Sequence, residues 1–395
     1  MSSSNLVRVA FIKESVYGQT PGAGNFLSAR MVTDSLSGTP ETTESQQIRQ
    51  DRQSSGQVVT GLTVGGDINF ELSKSADIEA FMESAMFSSW AVSAPVSADI
   101  TIDTTAKTLE RASGDWTAQT KIGDVVTLTD FADSRNNTQV IIVGYTSALI
   151  AKYAGADEMV DEVGSGTGFK VADKLSIGSV KTSFSMEKAF TDLTEKAINY
   201  RGMIASQMNL NITYGEIVTG SFSFSGNDYQ VVDDEADFIT FGRTITAQST
   251  SNSFNGSIDM PFLVTSAIGV LDEAAFCIQS LELSLNNNLT AQTCIGKAAP
   301  KDYSPGTAQI GVNMTAYLSN ESWAILAKKL SQESFGVGFI IKNIDGFYGF
   351  YIPAIQVTFD DPSSAGQNQD VMLTMQGVAK VGPAGESALT LYRAS

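Results

Sequence analysis

Residues 202–212 read GMIASQMNLNI and residues 349–359 read GFYIPAIQVTF, so the chain writes one strand pattern twice. Met203, Ala205, Met208, Leu210 and Ile212 align with Phe350, Ile352, Ile355, Val357 and Phe359, each pair 147 residues apart (349 − 202). The likeness extends beyond this stretch. Each copy opens on a Ser-Leu segment and a long polar stretch, SLSGTPETTESQQIRQDRQSSGQ in one and SLNNNLTAQTCIGKAAPKDYSPGTAQ in the other. A strand ending in Leu-Ser (Leu72-Ser73, Leu318-Ser319) then runs into an amphipathic helix, followed by the Gly-led strand and a strand ending at Gly226 or Gly377. A repeated order of elements is the signature of an internal duplication even where identity is slight.

Alternation with period two marks the strands and says which side of each is wet. Leu62, Val64, Ile68, Phe70 and Leu72 share one face, and Thr63, Gly65, Asp67, Asn69 and Glu71 the other. Phe222 and Phe224 alternate with Ser221 and Ser223, and Ile355, Val357 and Phe359 with Gln356, Thr358 and Asp360. Ile310, Val312, Met314 and Leu318 alternate with Gly311, Asn313, Thr315 and Tyr317. Asn209, Asn211, Thr374 and Gln376 extend the same wet face. Half-buried strands of this kind belong to antiparallel sheets with one solvated side. That side carries Ser, Thr, Asn, Gln and a few acids but no Lys or Arg in the four strands just named, although exposed edges commonly use lysine against unwanted pairing.

Two helices are expected. SKSADIEAFMESAMFSSW has Ser73 or Ser75 to cap it, Asp77 and Glu79 near its N-terminus, and a stripe of Ile78, Phe81, Met82, Ala85 and Met86. SNESWAILAKKL starts at Ser319 or Asn320, with a stripe of Trp323, Leu326, Ala327 and Leu330 and with Lys328 and Lys329 near its end. From Leu72 to Gly202 is a step of 130 positions, against 31 from Leu318 to Gly349, so the first copy holds about 99 extra residues (130 − 31). The expected fold is mainly β: two β-sandwich units, each flanked by a helix, plus an inserted small β-barrel or sandwich. The expected boundaries are 1–90 with 189–230 for the first unit, 91–188 for the insertion and 231–395 for the second unit. The insertion should sit on the surface, since a domain spliced between two elements is accommodated there.

Composition narrows the chemistry. The 395 residues include 43 acidic and 25 basic side chains, a formal net charge of −18, and no histidine. The charge disfavours tight nucleic-acid binding, and without histidine the commonest general base and zinc ligand are missing. Two cysteines, Cys277 and Cys294, are too few for a disulfide framework and read as reduced thiols. GSGTGFK (Gly164, Gly166, Gly168, Lys170) resembles a phosphate loop but lacks its ending and context, so it reads as a turn. Asp233, Asp234, Glu235 and Asp237 do not have calcium-loop spacing and read as a solvated linker. No carboxylate pair stands out for glycoside hydrolysis. The expectation is no enzyme activity, no cofactor and no metal. No run approaches the roughly 20 apolar residues of a membrane helix, and MSSSNLVRVAF has no signal-peptide pattern. A soluble protein made in a cytoplasm is expected. The polar stretch GTPETTESQQIRQDRQSSGQ has one large apolar residue, Ile48, and both charges in Glu41, Glu44, Arg49, Asp51 and Arg52. It reads either as disorder or as an arm that orders against another subunit.

With IKESVYGQTPGAGNF, SLSGTPETTESQQIRQDRQ and VGGDINFELS followed by a short helix, the chain resembles the major tail tube proteins of long-tailed bacteriophages over about 1–90 and 189–395. The resemblance implies stacked rings whose sheets join into a barrel-lined lumen that conducts DNA during ejection. The wet-face residues named above, Thr63 through Gln376, would then face the lumen. The arm with Glu41, Glu44, Arg49, Asp51 and Arg52 would reach the adjacent ring. Further implied partners are tail terminator, tape measure and distal tail proteins, in a virion assembled in the host cytoplasm. Two units per chain favour a ring of three chains with pseudo-sixfold symmetry, with six chains as the other arrangement. The competing function is a β-sandwich surface module that grips carbohydrate or a host surface.

Overall fold

The computed structural model describes residues 2–394 apart from 258–261, 268–269, 274–276, 327–332, 360 and 364–365. In chain order the first repeat contains β1 (Val7–Lys13), β2 (Ser37–Glu44), β3 (Gln57–Glu71), α1 (Ala76–Met86), β4 (Ser183–Phe190), β5 (Ala197–Thr213) and β6 (Thr219–Gly226). The second contains β7 (Phe262–Ala267), β8 (Ile278–Asn286), β9 (Gln309–Tyr317), α2 (Asn320–Leu326), β10 (Phe335–Asn343), β11 (Gly346–Phe359), β12 (Met372–Lys380) and β13 (Thr390–Arg393).

Pairing makes the duplication explicit. In the first repeat the antiparallel neighbours run β2-β3-β6-β5-β4-β1. In the second they run β8-β9-β12-β11-β10-β7, the same order and direction. Both β4–β5 and β10–β11 contain an irregularity near the start of β4 or β10, at Phe184/Met186 and at Phe335/Val337. Gln207 pairs with Ser223 and through it lines up with Asp67, and Thr358 lines up likewise with Gln376 and Asn313, Asp67 and Asn313 being separated by the same 246 residues as Leu72 and Leu318. These rungs are 151 residues apart on β5 and β11 (358 − 207), so the sequence alignment at 147 finds the right strands but slips by four residues there. Four residues are two full alternations, which leave every side chain on its proper face, so apolar pattern alone cannot detect the slip. The two leading glycines accordingly serve different needs. Gly202 adopts φ +65°, where its Cβ would sit 2.5 Å from the Asn227 side chain, whereas Gly349 makes room for Val125 of the inserted segment.

One core runs through both repeats. Every member of the α1 stripe is buried, and Phe81 places its ring against Phe11 of β1, Phe184 of β4, and Phe222 and Phe224 of β6, at centroid distances of 4.5–5.6 Å. The N-cap is Ser75, and Asp77 accepts from Arg30 N rather than from its own helix. In α2, Ser319 Oγ accepts from Ser322 N. The expected stripe is corrected there: Trp323 is 56% exposed, while Ser322 is buried and donates to Tyr317 O. Ala327, Lys328, Lys329 and Leu330 lie outside the described residues.

Residues Val96–Val171 form a separate eight-stranded sheet whose terminal strands are not paired with each other. It buries both faces. Ile100, Leu109, Trp116, Val126, Leu128, Ile142 and Phe169 fill one side. Val125, Ile141, Val143 and Ala154 pack on Ile340, Phe347, Tyr351 and Tyr392 of the second repeat. Strands covered on both sides read as continuous apolar runs, as in VVTLT and QVIIVGY. Lys174 and the Tyr392 hydroxyl both reach Asp124, at 2.6 and 3.1 Å. The strands Asp173–Ser176 and β4, which the sequence grouped mostly with the insertion, lie in the large sheet: the first pairs with β13, and β4 with β1 and β5. Replacing Phe81, a fully packed aromatic, should cost about 3–5 kcal/mol. Phe81→Ala is expected to lower the unfolding free energy measured by urea denaturation by that amount, and a loss below about 1 kcal/mol would contradict a shared core under α1.

Candidate functional site

β5 carries the geometry that matters most. Its first half pairs with β4, and its second half lies between β6 and β8 of the other repeat. The junction runs over seven rungs, from Gln207↔Asn286 to Thr213↔Ser280. It fuses the two repeats into one sheet.

Registers now align the polar residues in rows. Glu71, Thr219, Asn211, Glu282, Asn313, Gln376 and Thr358 stand opposite one another across β3, β6, β5, β8, β9, β12 and β11. The next row is Asn69, Ser221, Asn209, Ser284, Gly311, Val378 and Gln356. Asp67, Ser223, Gln207, Asn286 and Gln309 make a third, and Thr213, Ser280, Thr315 and Thr374 a fourth. Thr63 opposite Thr39 prolongs the face along β3. None of these side chains is buried. The alternate rows, such as Phe70, Leu210, Leu283, Val312 and Val357, are. The fourteen described residues expected on one wet face thus share it, whereas Asp360 lies outside the described residues.

The face is smooth, because its polar groups bond to one another. Asn69 donates to Thr33 Oγ1 (2.8 Å), Asn209 to Ser221 Oγ (3.3 Å), Asn313 to Glu282 Oε2 (3.1 Å), and Thr358 to Gln376 O (3.2 Å). Glu71 accepts from Ser253 Oγ, which in turn accepts from Arg30. A shallow groove of about 420 Å³ crosses the junction, lined by Asn211, Thr213, Glu282, Asn313, Thr315 and Gln376 among others. Lys380 at the end of β12 continues the alternation of the exposed Gln376 and Val378, so the wet face carries a lysine at its rim. Sequence reasoning missed β8 with Ser280, Glu282 and Ser284. The signal was present in SLELSLN, whose Leu281, Leu283 and Leu285 alternate without a break.

The polar arm is a β-hairpin rather than an unstructured loop. β2 pairs with β3 from Ser37↔Gly65 out to Glu44↔Gln57, and only 45–56 form the tip. Periodicity hid it because most of both sides are exposed and neither needs apolar residues. Its charges bond within the arm: Glu41 accepts from Thr63, Glu44 from Ser54, and Asp51 from Arg49 through two bonds of 3.0 and 2.6 Å. Those bonds hold the Asp51 carboxyl below its usual pKa. Arg52 turns the tip at φ +59°.

The other motifs place no chemistry here. Gly168–Val171 is a strand with no helix after it, and Asp234 caps the short turn Glu235–Asp237 through Ala236 N. Cys277 and Cys294 are both exposed and free. Among the described residues no three acidic, His or Cys side chains converge as a metal site, and no helix is long and apolar enough to cross a membrane.

No curated protein sequence matches the chain. The family model for the phage tail tube protein does, over residues 4–379. Nearly the whole sequence is covered, and with it both repeats, the arm and the polar face: the chain belongs to the phage tail tube protein family.

Proposed function

We propose that this tail tube subunit builds rings by continuing its large sheet from chain to chain, with the polar face turned to a lumen that conducts genomic DNA. The observation that carries the reading is the uninterrupted polar row across seven strands and both repeats. A face of that width, mildly acidic and already hydrogen-bonded to itself, has little to offer a phosphate backbone. A basic wall would hold DNA through counterion release.

The junction between β5 and β8 serves as the template for ring closure. Its counterparts are β11, the repeat of β5, and β2, the repeat of β8. The outer edge of β2 and the edge of β11 beyond Ile355 meet no strand among the described residues. Such edges invite pairing with another chain. Two units per chain, the first interrupted by residues 96–171 and the second beyond residue 231, give a pseudo-sixfold ring from three chains. Six chains would be needed if only one unit lined the lumen. The hairpin tip, with Arg49, Asp51 and Arg52, reaches the neighbouring ring. The inserted sheet stands outside the wall, and tail terminator, tape measure and distal tail proteins meet the ends and interior of a tube assembled in the host cytoplasm.

Replacing residues 45–56 with an Asn-Gly turn should leave the subunit folded and able to form single rings while stopping tube growth. Negative-stain microscopy checks this, and tubes of normal length would remove the tip from ring stacking. Gln356→Lys with Thr374→Lys should leave tubes intact but make them retain double-stranded DNA at low salt. The log–log salt slope should steepen by about 0.9 for each lysine that meets a phosphate. Tubes that ignore DNA as before would place these positions away from the lumen.

A further inference from the structure

The second repeat has an arm of its own, and it is occupied. After β8 the chain forms a short ribbon with rungs Thr290–Ser304, Ala291–Tyr303 and Gln292–Asp302. This ribbon lies on the first repeat. Asn287 N donates to Ser206 O (2.9 Å), and Leu62 N donates to Ala298 O (2.9 Å). Lys181 meets both oxygens of Asp302 at 2.7 Å. Tyr303, only 7% exposed, packs with Phe87 and Ile204 and donates its hydroxyl to Gly226 O at 3.1 Å.

The first arm has the same three rungs, Thr42–Val59, Thr43–Val58 and Glu44–Gln57. The separations are 248 on the outgoing strand (290 − 42) and 245 on the returning one (303 − 58), so Val58 occupies the place of Tyr303. Val58 is 62% exposed and Val59 60%. A two-stranded ribbon standing alone is marginally stable in water, and this one shows two adjacent valines to solvent where its twin buries an aromatic anchor.

We propose that the first arm lies on the second repeat of another copy of this chain in the same ring, with Val58 packed beside Val381. The proposal rests on the ring-and-tube reading and adds a lateral clasp to it. In the first repeat the arm crosses at Gly226, which pairs with Val64. By the 246-residue separation of the two copies the corresponding residue of β12 is Ala379, which pairs with Ile355, and the next residues are Lys380, exposed, and Val381, 64% exposed. A charge pair is available as well. The rung nearest the tip carries one acid in each arm, on the returning strand at Asp302 and on the outgoing strand at Glu44: Asp302 is held by Lys181, and Glu44 would come to Lys380. The site also adjoins the open edge of β11, so β2 and its ribbon would engage one continuous surface, as β8 and its ribbon do within the chain.

The test uses Val58→Cys with Val381→Cys in a Cys277→Ser, Cys294→Ser background, with assembled tubes treated with a short bismaleimide. The expected result on a denaturing gel is a closed series ending at the number of chains in one ring, three for the arrangement above, with neither single-cysteine variant linking. A ladder that climbs without limit, as a contact between stacked rings would give, overturns the proposal, as does the absence of links in well-formed tubes. A parent protein that forms no tubes sinks the tube reading itself, which separates the two failures. Val58→Asp should leave the monomer's Tm within about a degree and slow polymerisation at least tenfold, and unchanged polymerisation counts against the clasp.

Discussion

The seven-rung ladder between β5 and β8 is the contact on which the rest of the molecule depends. Its strength lies in satisfying backbone donors and acceptors that would otherwise form a free edge, since unpaired buried backbone groups are expensive. Its precision comes from side chains. Leu281, Leu283 and Leu285 enter the same core as Met208, Leu210 and Ile212. A shift by one residue would turn all three leucines into water and bring Ser280, Glu282 and Ser284 inside. The apolar layer therefore fixes the register, and the register in turn aligns the polar rows on the opposite face. The smooth polar face follows from how the core packs.

Elsewhere the structure buries polar groups deliberately and satisfies them. The Glu14 carboxylate accepts from Gly18 N, Gly202 N and the hydroxyls of Ser183 and Ser185. Glu187, fully buried, is held by Arg8 and Thr240. These anchors stitch β4 to the N-terminal segment across 169 to 179 residues of sequence. Arg393 does similar work on the other side, stacking on Trp90 at 4.5 Å while contacting Glu79 of α1 and Asp173. First and second repeats thus share ionic as well as apolar joints.

Much of this was legible from residues alone, and the exceptions have physical causes. Strands with one dry face, such as β3, β6, β9 and β12, announce themselves by alternation. The α1 stripe does so by helical spacing. β4 is harder, because Ser183, Ser185 and Glu187 are buried and disguise its pattern. The hairpin arm escaped detection for the opposite reason, since nothing on either of its sides needs to be apolar. Trp323 misled because α2 is short and turns a serine inward instead. The wet-face residues were legible by pattern, but their assembly into rows required the registers. β8 alternates as cleanly as the others, but nothing in its own pattern names β5 of the other repeat as its neighbour. The family match reaches residue 379 and so spans residues of the second repeat as well as of the first.

Joining two units in one polypeptide also changes how a closed assembly begins. Each separate subunit that enters a complex surrenders translational and rotational freedom worth about 4–15 kcal/mol. Where β8 is tethered to β5 by the chain itself, that penalty is met during folding, and the tether keeps the local concentration of the partner edge high. A six-unit circle made from such tandem chains needs two bimolecular encounters instead of five. Nucleation then needs a lower free-subunit concentration, and a pool of fused units reaches its first complete circle sooner than a pool of single ones.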